Sequence, residues 1–478
     1  RGPLLFADRA ESLAAAAFYP SPFDHAAILV SGGEGATTSL ARGEGRRIEI
    51  LRESPFPHSL GTLIAAVRES CGFPPGCDDR VLLDLAPMGE ARHVETIRDR
   101  VLDLREDGSF RLDPGAFDFL SRRRAGSRGF EALFGPPRAS GTPVTAREMD
   151  LARSLQEVLG EALLRAARHL HERTGEEDLV LAGDAAVLAA SSGRLLREGP
   201  FRRVWVPPVP EDCGAALGAA LCAWHGFLEK ERSPGTGCPA DAFLGPGFGE
   251  EETAAVLTRA GARARRPSAE EFSRAVARLL AEGQIVGWFQ GRMELGSRAL
   301  GNRSILADAR RAEARSRIHR EVEYGEPFRL PSACVLAEDA SEYFESAPDG
   351  TAGLVAAPVR ASRGAVGAAP GRASEPSLLP AVTHVDGSAY PQVVRRESNP
   401  LLHRLLEAFR DRTGCGVLLQ ASLRLPGEPL VRTPLEAYRC FLRTGMDALA
   451  VGPFLLEKRD QRSLLDDPDW ASRFEAVA

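Results

Sequence analysis

GRMELGSRALGNRSIL, Gly291 to Leu306, sets three arginines, three glycines and one glutamate within sixteen residues, directly behind the apolar run IVGWF. A solvated surface loop mixes its charges and has no need of the glycines. An anion site uses both, because glycine lets the backbone approach closely and guanidinium forks grip phosphate or carboxylate oxygens in pairs. The residues upstream decide the architecture. PSAEEFSRAVARLLAEG carries Ser268 and Glu271 at capping-box spacing, then Phe272, Val276, Leu279 and Leu280 on one helical face, with Gly283 as a stop. The spacing predicts a helix that feeds the strand IVGWF. The arginine loop then leaves a strand end, where α/β proteins commonly bind ligands.

The same scheme occurs earlier in the chain. TPVTAREMDLARSLQEVLGEALLRAARHLHERTG reads as one long helix, with Thr145 and Glu148 as its box, Met149, Leu155, Val158, Leu159, Leu163 and Leu170 at helical spacing, and Gly175 as its end. LVLAG, Leu179 to Gly183, follows as a buried strand. DCGAALGAALCAWHGFL is a further helix whose small residues imply close packing on a neighbour. Glu229 to Gly249 is polar and rich in glycine and proline, which marks a linker. At 478 residues the chain exceeds what one core usually covers. Two domains are expected, 1–230 and 231–478.

Composition narrows the function classes. A hydrophobic content of 44% with 26% charged residues is that of an ordinary globular protein. The net charge of −6, without a long basic block, argues against nucleic acid as a partner. Apolar runs are too short to span a membrane. Eight cysteines without a CxxC pair point to reduced thiols and a cytoplasmic location. Cys71 and Cys77 lack the two further ligands that a zinc site would need. The chain starts at Arg1 rather than Met, so its beginning is expected to be missing.

Several stretches together resemble the O-carbamoyltransferases of antibiotic and nodulation-factor biosynthesis. GWFQGRMELGSRALGNRSILADAR and PLEAYRCFLRTGMDALAVGPFLL carry the resemblance most closely. FYPSPFDHAAIL, FPHSLG, LAPMGEARH, GRLLREGPF and LPAVTHVDG extend it, in family order, from about Phe18 to Leu456. The resemblance implies an α/β protein with an actin/RNase H-like N-terminal domain, incomplete at its start, and a C-terminal α/β domain like the synthase of threonylcarbamoyl-adenylate. It also implies that carbamoyl phosphate and ATP form carbamoyl-adenylate in the C-terminal domain. The carbamoyl group then passes to a small-molecule hydroxyl or amine in the N-terminal domain, at an iron or similar metal. Adenylation supplies a leaving group, and a metal with fixed donors stabilises charge during acyl transfer. Carried over residue by residue, Arg292, Arg298, Arg303, Ser304, Arg329 and Ser422 are candidates for holding an anion or nucleotide. His58 and Asp212 are the candidates for catalysis, with Asp212 the one surviving metal ligand.

The departures from the family pattern are as informative as the matches. The outer histidines of a metal-binding run are replaced by Arg9 and Leu13, with Ala10 beside them, and neither replacement can ligate. VSGGEGATTS is two residues short and lacks the family aspartate, leaving Glu34 as its only acid. LAGDAAVLAASSG has Asp184, Leu188 and Ser192 where the family has a glycine and two asparagines. In the C-terminal domain the lysine and arginine ahead of EPFR are Glu323 and Gly325. The two lysines of the chain, Lys230 and Lys458, lie in no motif. A unit-charge pair near 4 Å is worth about 4 kcal/mol at an effective dielectric near 20, and a charge reversal roughly doubles that loss. Tyr390 stands for an arginine, Pro426 for another, and QASLR keeps only Ser422 of its segment.

Two readings follow. In one, the arginines still grip an anionic substrate around a working or altered carbamoyl transfer, including a metal-free variant with Asp184, Glu34 or His58 as base. In the other, the chain is a pseudoenzyme whose arginines brace loops by pairing with carboxylates such as Glu294 and Glu326. No bound cofactor is expected on the second reading, although ATP and iron belong to the family. The expected partner is a second copy or an active relative, since family members dimerise and an incomplete sheet leaves an unpaired edge.

Overall fold

The computed structural model describes residues 4–33, 37–54, 56–74, 77–118, 125–184, 193–207, 212–232, 242–296, 298–323, 328–345, 355–360, 377–425 and 427–462. The chain forms two units, Arg1–Ala240 with Asp349–Ala356, and Asp241–Pro348 with Ala357–Ala478. They part at 240/241, inside the stretch whose composition marks a linker, rather than at 230/231. Both units are α/β. No helix among the described residues is long and apolar enough to cross a membrane.

The first unit opens with α1 (Arg9–Phe18) and then builds a five-stranded sheet from β1 (His25–Ser31), β2 (Thr38–Glu44), β3 (Arg47–Glu53), β4 (Asp178–Ala182) and β5 (Arg203–Trp205). The order is β3-β2-β1-β4-β5. β1, β2 and β3 form an antiparallel meander, whereas β4 runs parallel to β1 and β5 parallel to β4. A parallel neighbour needs a crossover, and α2 (Ala146–Thr174) lies on it, directly ahead of β4. The sequence marks its ends correctly: Thr145 and Glu148 form the capping box, and Gly175 closes the helix in the left-handed conformation.

β4 is buried along its length, and β1 along all but its first residue. Because β1 has neighbours on both sides, the edges of this open sheet are β3 and β5. β3 carries Arg47, Glu49, Arg52 and Glu53, charges that discourage strand addition. The alanine-rich α1 lies against α3 (Asp212–Leu221), which runs on into a wider helical turn, Cys222–Phe227. A Cβ on Gly218 would sit 1.7 Å from the carbonyl oxygen of Ser12, so the helices approach this closely only because that residue is glycine.

The second unit carries a seven-stranded sheet of β6 (Val286–Phe289), β7 (Arg303–Asp308), β8 (Ser332–Leu336), β9 (Pro391–Val394), β10 (Val417–Ser422), β11 (Ala448–Val451) and β12 (Phe454–Glu457), ordered β9-β8-β10-β7-β6-β11-β12. The helices α4 (Ala269–Ala281), α5 (Pro400–Thr413) and α6 (Pro434–Arg443) contribute to one apolar core that includes Trp288, Ile305, Leu418, Phe409 and Phe441. α4 is capped by Ser268, whose Oγ accepts from the Glu271 amide at 3.2 Å, and the chain turns away at Gly283 with φ +85°. β6 and β7 are adjacent and antiparallel, so the arginine loop joins two neighbouring strands.

Glu176, just ahead of β4, ties three strands of the first sheet together. Its buried carboxylate accepts from Arg42 Nε at 2.7 Å and pairs with His25 Nδ1. The hydrogen bond to Glu176, and then its charge, raise the His25 pKa above the ordinary imidazole value. A raised folded-state pKa contributes stability that is full below the unfolded pKa, about 6.5, and is lost as pH climbs through the folded value. His25 is 61% exposed, so solvent screening keeps the effect small. Urea unfolding should find His25→Gln less stable than wild type at pH 5.5 and indistinguishable from it at pH 9. An equal deficit at both values would contradict this linkage.

Candidate functional site

The loop after β6 is wound around its own carboxylate. Glu294 is 1% exposed and turns inward. Its Oε1 accepts from the backbone amides of Leu300 at 2.7 Å, Asn302 at 2.9 Å and Arg303 at 3.0 Å. The remaining loop groups are tied to the strands and to the start of α5. Ser422 Oγ accepts from the Ala299 amide and Ser304 Oγ from the Gly301 amide, both at 3.2 Å, with the two serines paired in register on β10 and β7. Gln420 Nε2 donates to the Ala299 carbonyl at 3.1 Å and Gln392 Nε2 to the Leu300 carbonyl at 2.7 Å. Asn399 caps α5 through its side-chain oxygen and donates to Asn302 Oδ1 at 3.0 Å. Gly301, with φ +106°, has Leu402 where a Cβ would fall, 2.5 Å away. In sequence this looked like a nest for an external anion. In the fold, Glu294 is the anion.

Arg303 and Arg292 serve the same construction. Arg303 is fully buried, with Nη1 donating to the carbonyls of Gln290 at 2.6 Å and Asn302 at 3.0 Å, and Nη2 to those of Pro246 at 3.2 Å and Gly291 at 3.3 Å. Its guanidinium carbon lies 3.7 Å from the centroid of the Phe289 ring. Burial lowers its pKa to about 10, against the upward pull of the Glu294 charge. Arg292 donates from Nε to the Gly245 carbonyl at 3.0 Å and from Nη2 to that of Leu244 at 2.6 Å. Both arginines therefore brace loops, but through backbone carbonyls rather than carboxylate ion pairs. Arg298 and Arg329 are half-buried. The Arg329 carbonyl accepts from His319 Nε2 at 2.9 Å, and His319 Nδ1 lies 3.5 Å from Glu323. Glu323 thus sits one histidine away from the Arg329 backbone.

In the first unit His58 precedes the helix Leu60–Ser70, and its Nδ1 accepts from the Leu112 amide at 3.2 Å. That bond places the ring proton on Nε2 and ties His58 to the small hairpin of Leu102–Leu104 and Phe110–Leu112. Asp212 begins α3, and its side chain lies outside the described residues, as do Glu34, Leu188, Ser192, Gly325, Glu326 and Pro426. Asp184 follows Gly183 at the end of β4, and its Oδ2 closes on the turn after β1, 2.7 Å from where a Cβ on Gly33 would lie. Arg9 is exposed, and Leu13 is 4% exposed in an apolar cluster with Phe18, Ile28 and Val180. Arg9 and Leu13 therefore do not fit a metal.

Among the described residues, one group could bring a histidine and two acids to an ion: Glu338, His403 and Glu407. His403 Nε2 lies 3.1 Å from Glu338 Oε1 and Nδ1 lies 3.4 Å from Glu407 Oε2, while Arg396 holds Glu407 Oε1 at 2.7 Å. The acids face different ring nitrogens and one is already paired, so the group is an ion-pair cluster. Only the i, i+4 spacing of His403 and Glu407 on α5 was visible in sequence.

Residues 1–221 match the family model described as carbamoyltransferase N-terminus, and residues 277–458 match that of carbamoyltransferase C-terminus. The Synechocystis protein sll1178 is 42% identical over 99% of this chain and 79% of its own length. Nodulation protein NolO of Bradyrhizobium diazoefficiens is 34% identical over 93% of this chain and 78% of its own. The 3'-hydroxymethylcephem-O-carbamoyltransferase of Amycolatopsis lactamdurans is 35% identical over 53% of this chain and 44% of its own. A structure of full-length HypF in its phosphate- and nucleotide-bound form has a TM-score of 0.27, with 16% identity over 42% of this chain and 22% of that one, a likeness too slight to carry an argument. With both halves matched in order and two relatives above 30% identity along nearly the whole chain, the protein belongs to the carbamoyltransferase family.

Proposed function

We propose that this chain keeps the carbamoyltransferase framework but no longer performs metal-assisted carbamoyl transfer, and that it acts as a binding partner of itself or of an active relative. The observation that carries this reading is Leu13. Where the resemblance calls for a metal-binding histidine, an aliphatic side chain is sealed into the apolar core. Restoring a ligand there would mean burying an imidazole among hydrocarbon. Within the same reading, the first unit is an actin/RNase H-like domain, supported by its β3-β2-β1-β4-β5 order, and the second is the carbamoyl-adenylate-forming half. Active relatives on this scheme carbamoylate a small-molecule hydroxyl or amine, as the name of the cephem enzyme indicates for that protein.

In the second unit the Glu294-centred loop supports Arg298, and Glu323 sets a negative charge near the Arg329 segment where the family places a lysine. Attraction for phosphate becomes repulsion there. Mixing the full chain with carbamoyl phosphate and ATP should release no pyrophosphate above the level of Arg298→Ala, and Glu323→Lys with Gly325→Arg should restore nucleotide binding. Turnover that collapses in Arg298→Ala would overturn the proposal. For the partner role, light scattering after size exclusion should find a dimer. A monomer, with no relative co-purifying from the native host, would contradict it.

A further inference from the structure

The long helix α2 carries Glu157, Glu161, Leu164, Arg165 and Arg168 at helical spacing, which sets them on one face. That face and the short helices Val94–Arg100 and Arg194–Glu198 line an open cavity of about 520 Å³ in the first unit. Small-molecule sites commonly have volumes of roughly 300–1,000 Å³. Val94 and the buried Leu164 give the cavity an apolar wall. Its charged lining has its acceptors engaged and its donors in surplus. Glu161 is gripped from two helices, by Arg98 Nη2 and Arg165 Nη2. Glu157 pairs with Arg153 Nη2 at 2.7 Å and with Arg194 Nη1 at 3.5 Å, and Glu198 with Arg194 Nε at 3.1 Å. By contrast, Arg98 Nε is buried without a hydrogen-bond partner. Arg168 is exposed and pairs with none of the described residues. Buried polar groups are almost always satisfied, so an orphaned donor on a cavity wall calls for an acceptor from outside the chain.

We propose that this cavity binds a small phosphate monoester, with Arg98 and Arg168 as the residues that recognise it and Val94 and Leu164 as the surface for its carbon chain. A cationic ligand would have to displace an arginine from each carboxylate it used. An oxyanion finds donors already in place. A phosphate monoester brings three terminal oxygens to guanidinium N–H groups, against two for a carboxylate, and so uses donors from two helices more fully. Arg165 and Arg194 keep their glutamates and fix the walls. The inference goes beyond the pseudoenzyme reading and does not depend on it. All of these residues belong to the first unit, and none is among the candidates carried over from the family.

Isothermal titration calorimetry of the full chain with glycerol 3-phosphate, and with glycerate as a carboxylate of similar size, tests the assignment. Glycerol 3-phosphate should bind saturably, about tenfold tighter than glycerate, and more weakly as salt is raised. Arg168 is exposed, so Arg168→Ala should keep the melting temperature while weakening binding about tenfold, the scale of one charge-assisted contact. Arg98→Ala should weaken it at least as much. Arg298→Ala, the control for the arginines of the second unit, should leave it unchanged. No saturable binding, equal affinity for glycerate, or binding that survives Arg168→Ala and is lost in Arg298→Ala would overturn the proposal.

Discussion

A carboxylate withdrawn from water and given three backbone amides is the constraint on which the second unit depends. Hydrogen bonds to a charged group contribute about 1.5–3 kcal/mol each, and a buried charge without such partners costs several kcal/mol. Glu294 has that support from Leu300, Asn302 and Arg303, and the Arg303 guanidinium supplies a compensating charge that never reaches solvent. Glu294 Oε2 and Arg303 Nε are buried without a hydrogen-bond partner of their own, so this charge pair is maintained by the whole loop rather than by one direct contact. The glycines permit the turns, and the glutamate decides how the turns close.

From that centre the constraint spreads outward. Asn302 and Asn399 link the loop to the start of α5, Ser304 and Ser422 hold it over β7 and β10, and Arg292 and Arg303 fasten residues 244–246 against it. A relative could vary its chemistry while keeping this network, because most of the network is used internally. In the first unit the close fit of α1 on α3 rests on Gly218, and Leu13 of α1 is part of an apolar core cluster.

Local patterns carried much of the fold. The α2 capping box, the α4 face and the strands around Leu179 and Trp288 were legible because periodicity and caps act within a few residues. The strand orders were not, since β10 inserts between β7 and β8 through pairings with residues about 80 to 120 positions away, with no local signal but hydrophobicity. The arginines show the same limit. Their number and their glycines suggested anion binding, but Arg292 donates to the carbonyls of Leu244 and Gly245, outside the motif, and Arg303 reaches Pro246 as well as Gln290, Gly291 and Asn302. His58 and Lys458 were ambiguous or silent for the same reason, since one finds its partner at Leu112 and the other at Phe441 and Thr444.

Hydrogen–deuterium exchange of the segment 299–304, in wild type and in Glu294→Ala, tests the central claim most directly. If Glu294 is the internal anion of this loop, these amides exchange as slowly in wild type as those of β6 and exchange orders of magnitude faster in the variant, with stability reduced by about 3–5 kcal/mol. Rapid exchange in wild type, or unchanged protection in the variant, would contradict it.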